Sequence, residues 1–323
     1  MNRPVAHLAN LDLNLLVMLR ELIRERNVTR AAERVGVTQP AASAALSRLR
    51  RHFGDELLVR GKGGYVLSPL ATQLAEQVEV VCAAAERLFA AGESFDPKVS
   101  RREFTLLVAD YTIAVLGEHL ARLLDERAPR VRLHLRLVRE AMAADVEENV
   151  RLMDGMIAPP AGRFRIPGLR SAELFRDRWV CVVAEANREL DTDQPSLDDL
   201  ARLFWVVPYQ PNQGYPTAAP IARQLTTFGI RPQVAVRVES YQAVPHLVAG
   251  TDRVALLQER LAHQVAGRLG LRVLECPGNP EPIVEKLWWH ANFDEDPGHL
   301  WLRGVLAEAA RGLPPENRPR QHR

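Results

Sequence analysis

The sequence predicts an α/β protein in two parts: a small helical domain carrying a short β-hairpin, then a long helix leading into two lobes of alternating strand and helix. Three observations carry this. Residues 28–53 hold two helical stretches joined at Gly36, and a hairpin pattern follows them. Residues 69–91 keep an apolar stripe with no domain of their own to cover it. From residue 104 onward, short apolar runs alternate with helical ones in the rhythm of βαβ units. A chain of 323 residues also exceeds one typical core, so two or three domains are expected.

Asp12 caps a first helix whose apolar positions Leu13, Leu16, Val17, Leu19, Leu22 and Ile23 line one face. A short second helix, 28–35, has Asn27 or Thr29 as its cap. Gly36 ends it, since glycine reaches turn conformations that other residues resist. A third helix starts at once. Thr38 is a good N-cap, and Pro40 sits in the first turn, where a missing N–H costs nothing. Two helices joined in this way form a helix-turn-helix, whose second helix enters the major groove of DNA.

The composition of that helix fits a groove. Gln39, Ala41, Ala42, Ser43, Ala44, Ala45 and Ser47 are small or amide-bearing, which allows close approach to base edges. Gln pairs in bidentate fashion with adenine, Ser meets several bases, and Ala packs on the thymine methyl. Leu46, Leu49 and Phe53 recur at helical spacing and face the core. Arg48, Arg50 and Arg51 come later, within reach of phosphates or bases. Ala-rich helices ending in arginine also occur in ordinary helical proteins. The glycine spacing, the Thr-Gln-Pro entry and the flanking elements select DNA. Downstream, 56–60 and 64–67 flank a Gly-Lys-Gly-Gly turn and form a β wing, with Arg60 and Lys62 placed to meet a phosphate or the minor groove. Ser68-Pro69 opens the next helix with a cap followed by proline.

Leu11-Asp12-Leu13-Asn14-Leu15-Leu16, Thr29-Arg30-Ala31-Ala32, Thr38-Gln39-Pro40-Ala41, Leu46-Ser47-Arg48-Leu49-Arg50 and Leu57-Leu58-Val59-Arg60 resemble, in order and nearly without gaps, a LysR-type transcriptional regulator. The resemblance implies a winged helix-turn-helix over 1–68 that binds double-stranded promoter DNA at an inverted repeat. The expected contacts are Thr29 and Arg30 from the second helix, and Thr38, Gln39, Pro40, Ala41, Ser43, Ala44, Ser47, Arg48 and Arg51 from the third. Arg60 and Lys62 join them from the wing. RNA polymerase is implied as a further partner.

Charge agrees with this division. Residues 1–70 hold eleven Lys/Arg against six Asp/Glu, a net of +5, and the remainder holds 31 against 34, a net of −3. The attraction for nucleic acid therefore lies on the N-terminal domain. Cys82, Cys181 and Cys276 are far apart in sequence and form no CxxC pair, which disfavours a disulfide scaffold or zinc site. They read as buried, bland thiols in a reducing cytoplasm. Residues 1–10 hold no apolar signal core, and no run approaches the roughly eighteen apolar residues of a membrane span.

In residues 69–91, Leu70, Leu74, Val78, Val81, Ala85, Leu88 and Phe89 make the apolar stripe. Such a helix packs on a partner helix or folds back on its own chain. The resemblance makes it the linker helix that dimerises the chain, with two dimers forming a tetramer. Residues 92–101 are the hinge out of it. Strands are expected at 104–109, 131–138 and 155–158, with helices at 113–127 and 142–152. A second unit from about 174 has strands at 179–184, 204–207, 234–238 and 254–257, and helices at 197–203, capped by Ser196, and 243–249. A loop at 208–216 leads to a helix ending near Phe228-Gly229. Strand 283–290 and helix 299–311, with His299 capping it, close the chain. The rhythm argues for mostly parallel, doubly wound sheets. The proline- and charge-rich residues 312–323 are expected to be disordered.

The resemblance implies that 102–311 is a two-lobed effector domain of the periplasmic-binding-protein type, with lobe I at about 102–170 and 272–311 and lobe II at about 171–271. Ligands of open sheets bind in the crevice at the carboxyl ends of strands. That rule selects Ala109, Asp110, Tyr111 and Thr112 on one side, where backbone N–H groups favour an anion. On the other side it selects Pro208, Tyr209, Gly214 and Tyr215, together with Ser240, Tyr241 and Gln242. Ordinary loop packing is the alternative for each, and Asp110 serves equally as an N-cap.

Trp288-Trp289-His290 and Asp296-Pro297-Gly298-His299-Leu300-Trp301-Leu302-Arg303 resemble the branch that regulates nodulation and aromatic catabolism. That implies a small-molecule co-inducer of the flavonoid or aromatic-acid kind and no cofactor. Arg151 and Gln258 depart from the family pattern, where Gly and Pro are usual. The competing readings are an enzyme or a cytoplasmic binding module on the same two lobes. No GxSxG, HExxH, GxGxxG or phosphate loop supports an enzyme. A transport-type binding protein would need a signal peptide.

Overall fold

The computed structural model describes residues 12–89, 94–137, 150–160, 164, 166–208, 227–229 and 231–315. They fall into two compact units, Met1–Glu93 and Ser94–Arg323.

In the first unit, local capping fixes each helix. Asp12 accepts from the Asn14 N–H at the start of α1 (Leu13–Glu25). Asn27, rather than Thr29, caps α2 (Val28–Val35) by accepting from the Thr29 and Arg30 N–H groups. Such a cap contributes about 1 kcal/mol. Gly36 takes a left-handed φ of 77° to end α2, and Thr38 then caps α3 (Gln39–Phe53). The wing is β1 (Leu58–Gly61) paired antiparallel with β2 (Gly64–Leu67). It starts later than residue 56 because Leu57 is left-handed at φ 57°. Asp55 holds that turn, accepting from the Leu57 N–H at 2.7 Å and the Ser68 hydroxyl at 2.5 Å.

The core of this unit joins Leu19 and Leu22 of α1 to Ala31, Ala32, Ala42, Leu46 and Leu49 of the helix pair and to Leu57 and Leu58. α4 (Pro69–Phe89) does not present its whole stripe to a partner. Ala71, Val78 and Cys82 are buried within the same unit. Ion pairs fasten α4 to α1: Arg20 meets Glu86 at 2.6 Å, and Arg24 grips both carboxylate oxygens of Glu79. Val81, Leu88 and Phe89 remain exposed.

The second unit contains two five-stranded sheets. The first has the order β4-β3-β5-β12-β6, from β3 (Glu103–Val108), β4 (Arg132–Leu137), β5 (Gly155–Ala158), β6 (Leu169–Asp177) and β12 (Ile283–His290). The second has the order β11-β7-β10-β8-β9, from β7 (Trp179–Ala184), β8 (Phe204–Pro208), β9 (Gln233–Val238), β10 (Val254–Gln258) and β11 (Leu271–Glu275). These sheets are mixed rather than mostly parallel. β3, β4 and β5 are mutually parallel, but β12 runs antiparallel to both its neighbours. In the second sheet β7 is antiparallel to β10 and β11.

The lobe boundaries shift accordingly. β6 pairs along its length with β12, so the first lobe extends to Asp177 rather than to about 170. β11 pairs with β7, so the second lobe extends to Glu275 rather than to about 271. Arg178 marks the first crossing and pairs there with Glu259 and Glu275, both at 2.5 Å.

Several elements differ from expectation. α5 (Asp110–Arg127) starts three residues earlier than 113, and Ala109 is its N-cap, so Asp110 is not. α6 (Leu197–Arg202) carries the expected Ser196 cap, closed into a reciprocal box with Asp199. α7 spans Val244–Val248. α8 (Glu259–Leu269) has no start signal in the sequence, because it follows β10 directly and Gln258 offers no side-chain capping bond. α9 (Pro297–Arg311) is capped by Asp296, not by His299. His299 is buried and its Nε2 donates to the Asp154 carbonyl at 2.5 Å. Arg102 closes the same node through a two-pronged pairing with Asp296, at 2.7 and 2.8 Å. Of the helix expected at 142–152, only 150–152 fall among the described residues, and residues 209–226 and 316–323 lie outside them.

Candidate nucleic-acid interface and inter-lobe crevice

α3 presents two unlike faces. Ala42, Leu46 and Leu49 point into the core, and Ala42 is 0% exposed, so this alanine does not belong to the groove-facing set expected for it. Gln39, Pro40, Ala41, Ala44, Ser47, Arg48 and Arg51 are exposed, and Ser43 is half-buried among them. Their spacing of three and four residues puts them on one face.

Internal hydrogen bonds organise that face. The Gln39 Nε2 donates to the Ser43 hydroxyl at 2.9 Å, and the Ser47 hydroxyl donates to the Ser43 carbonyl at 3.0 Å. The amide end of Gln39 is thus held in place beside small side chains before any DNA arrives. Arg48 pairs with Asp12 at 2.9 Å. Arg50 differs from the other arginines of the helix. Its guanidinium donates to the carbonyls of Glu56 and Leu58, so its place is structural.

Thr29 and Arg30 are exposed at the N-terminal end of α2, where the helix dipole favours a phosphate. Glu25 lies 3.4 Å from the Arg30 guanidinium and moderates it. The Thr38 side chain is exposed but engaged in capping Ala41. Arg60 and Lys62 are exposed on the wing, with Arg60 opposite Tyr65 in the hairpin register.

The crevice residues are brought together only in part. Tyr209, Gly214 and Tyr215 lie outside the described residues, and Pro208 is buried at the end of β8. Tyr111 is 1% exposed and its hydroxyl donates to Asp177, so it is a core residue rather than a lining one. Thr112 is buried as well, and Ala109 packs against the core cluster. Asp110, Ser240, Tyr241 and Gln242 do meet, across the two lobes. The Asp110 carboxylate accepts from the Ser240 hydroxyl at 2.6 Å, the Tyr241 N–H at 3.2 Å and the Gln242 N–H at 3.1 Å. Gln242 returns a bond from its Nε2 to the Asp110 carbonyl at 2.9 Å.

Sequence reasoning missed the buried acids behind this contact. Glu285 is 3% exposed, and burial together with the Asp177 carboxylate pushes it up to about 8. Burial also raises Asp177, against the opposing bond from Tyr111. A signal existed: in β12, Ile283, Glu285, Leu287 and Trp289 alternate on the buried face, and an acid in that series is out of place.

The thiols also depart from expectation. Cys276 is only half-buried, and it lies against Cys181. That neighbour, together with burial, raises the Cys181 thiol well above its ordinary range. No group of three metal-ligating side chains occurs among the described residues. No helix among them is long and apolar enough to cross a membrane.

Comparison with known proteins agrees with this architecture. Residues 13–72 match the family described as bacterial regulatory helix-turn-helix protein, lysR family, and residues 97–311 match the LysR substrate binding domain. The HTH-type transcriptional regulator SyrM of Rhizobium meliloti is 33% identical over 315 residues, covering 95% of this chain and 92% of that one. Nodulation protein D 1 of Rhizobium tropici is 33% identical over 306 residues, covering 94% and 96%. Among solved structures, a probable transcriptional regulator from Pseudomonas aeruginosa is 30% identical with a TM-score of 0.72, covering 95% and 98%. CbnR in complex with its target DNA shares the fold, at 16% identity and a TM-score of 0.58, covering 93% and 99%.

Proposed function

The chain belongs to the LysR family of bacterial regulators, DNA-binding transcription factors with an effector-binding domain, and from that premise we propose how its residues divide the work. The exposed face of α3 reads base edges, with Gln39 and Ser43 as the principal readers and Ala41, Ala44 and Ser47 allowing close approach. Thr29, Arg30, Thr38, Pro40, Arg48, Arg51, Arg60 and Lys62 position the domain on the backbone. The observation that carries this assignment is the Gln39–Ser43–Ser47 row, set by its own hydrogen bonds on an otherwise small-residue face.

The exposed Val81, Leu88 and Phe89 support pairing of α4 between two chains. A dimer places two α3 helices on the two halves of an inverted repeat, because protein symmetry is mirrored in operator symmetry. Two dimers join through the effector lobes into a tetramer. A small aromatic molecule between the lobes shifts a pre-existing balance of lobe arrangements, and promoter contact changes with it. The protein acts in the cytoplasm, with RNA polymerase as the downstream partner, by binding rather than catalysis.

Footprinting of the purified chain on the DNA upstream of its own gene tests this. Protection over an inverted repeat that shortens or shifts with one aromatic compound is the expected result. Absence of sequence-specific protection would overturn the reading.

A further inference from the structure

The Asp110 carboxylate bears on what the crevice accepts. It is 6% exposed, and it accepts four hydrogen bonds: the Tyr111 N–H at 2.9 Å from its own lobe, and the Ser240 hydroxyl, Tyr241 N–H and Gln242 N–H from the other. A carboxylate has about four lone-pair sites. All are therefore filled by donors, as an anion requires, and none of those donors is charged. The three donors of residues 240–242 are also the groups with which this lip would hold an incoming acid. The chain has put its own acid there.

Resting on the reading that a small molecule binds between the lobes, we propose that Asp110 sets the charge of that molecule. The crevice takes a ligand that is uncharged, and has a hydroxyl or N–H to give, at the end that meets residues 240–242; it rejects a carboxylate there. Two carboxylates sharing one set of uncharged donors repel each other, and among the described residues no cation joins Asp110's hydrogen bonds to offset them. A neutral donor meets the opposite situation, because Asp110 becomes its acceptor when the lobes part. The anion expected at the start of α5 is thus replaced by an internal one. Asp110 acts as a specificity-determining residue.

The test uses the full chain with benzoate and benzamide as probes of equal shape and different charge, read by calorimetry and thermal melting. Wild type should bind benzoate at least about tenfold more weakly than Asp110→Ala does, while benzamide, which loses its acceptor in the variant, should bind wild type the more tightly of the two. Acetate should raise the melting temperature of Asp110→Ala by refilling the vacated donors, and acetamide should not. If Asp110→Ala fails to fold, Asp110→Asn carries the comparison, since it keeps the volume and removes the charge; its benzoate affinity should rise relative to wild type. The proposal is overturned if neither variant gains carboxylate binding, or if wild type binds benzoate as tightly as they do. The operator footprint is measured alongside. Its persistence when discrimination fails sinks the role of Asp110 alone, and its absence from wild type sinks the regulator assignment.

Discussion

Arg50 holds Leu58 at the start of the wing. Its Nη2 donates to the Leu58 carbonyl at 3.1 Å, while its Nε donates to the Glu56 carbonyl at 2.9 Å. The last turn of α3 is thereby tied to the strand that carries Arg60. Arg50→Ala should destabilise the domain by about 1–2 kcal/mol, since it leaves two carbonyls without a charged donor that is itself partly exposed. Affinity should fall equally on operator and random DNA. A selective loss on operator DNA, seen by titration beside a denaturation curve, would restore Arg50 to the base-reading set.

Gln39→Ala should relax sequence preference more than it weakens non-specific binding, by about 1–3 kcal/mol of discrimination. Because Gln39 donates to Ser43, Ser43→Ala should have part of the same effect, and the double variant should cost less than the sum. Competition titrations against single-base operator variants measure this. Strict additivity would mean that the two residues do not act as one reader.

Arg60→Ala and Lys62→Ala should weaken all DNA alike. Removing one cation from a phosphate should lower the slope of log affinity against log salt by about one. An unchanged slope would remove the wing from the phosphate-binding surface.

Val81→Asp combined with Leu88→Asp should separate the subunits without unfolding the first unit, because both side chains are exposed there. Sedimentation should show the tetramer reduced to pairs joined only through the effector lobes, with little operator affinity and an unaltered melting curve for the helix-turn-helix. Retention of the tetramer would place this subunit contact elsewhere than on α4.

The pH dependence of stability should reveal Glu285. Below its ordinary value of 4.5, folded and unfolded chains both hold its proton. From there up to about 8 the unfolded chain releases the proton while the folded chain retains it, so stability falls as pH rises. The raised Asp177 acts in the same direction. Glu285→Gln keeps the neutral shape and should flatten this slope, melting like wild type below the ordinary value of 4.5 and higher near pH 8, by on the order of a few kcal/mol. A variant that melts lower than wild type at pH 8 would mean that the charge is stabilised in the fold.

The first unit is legible in the sequence because its instructions are local. Asp12, Gly36 and Thr38 each act within four residues, and their effects stand in the chain as written. Even there, size alone misplaces Ala42, whose face is decided by packing against the first two helices. The second unit hides its logic in distance. Asp110 meets Ser240 130 positions away, and Cys181 of β7 meets Cys276 just past the end of β11, with nothing nearby to announce either. α8 lacks a start signal, and β6 mixes Arg170, Glu173 and Arg176 with its apolar residues because most of it is solvent-facing. Length and periodicity place such elements less well than a cap does.

The position of β12 between β5 and β6 dictates an order of assembly during synthesis. Lobe II, from Trp179 to Glu275, is one uninterrupted stretch and is complete before Ile283 leaves the ribosome. Until then, β5 and β6 have no strand between them, and Met156 and Ile157 lack the partner that later covers their hydrogen-bonding edge. The nascent chain must therefore carry a finished second lobe beside an unclosed first one, with a bare strand edge of the kind that recruits stray chains. Slow translation through residues 260–290 would lengthen that exposure, and chaperone demand should concentrate on this window.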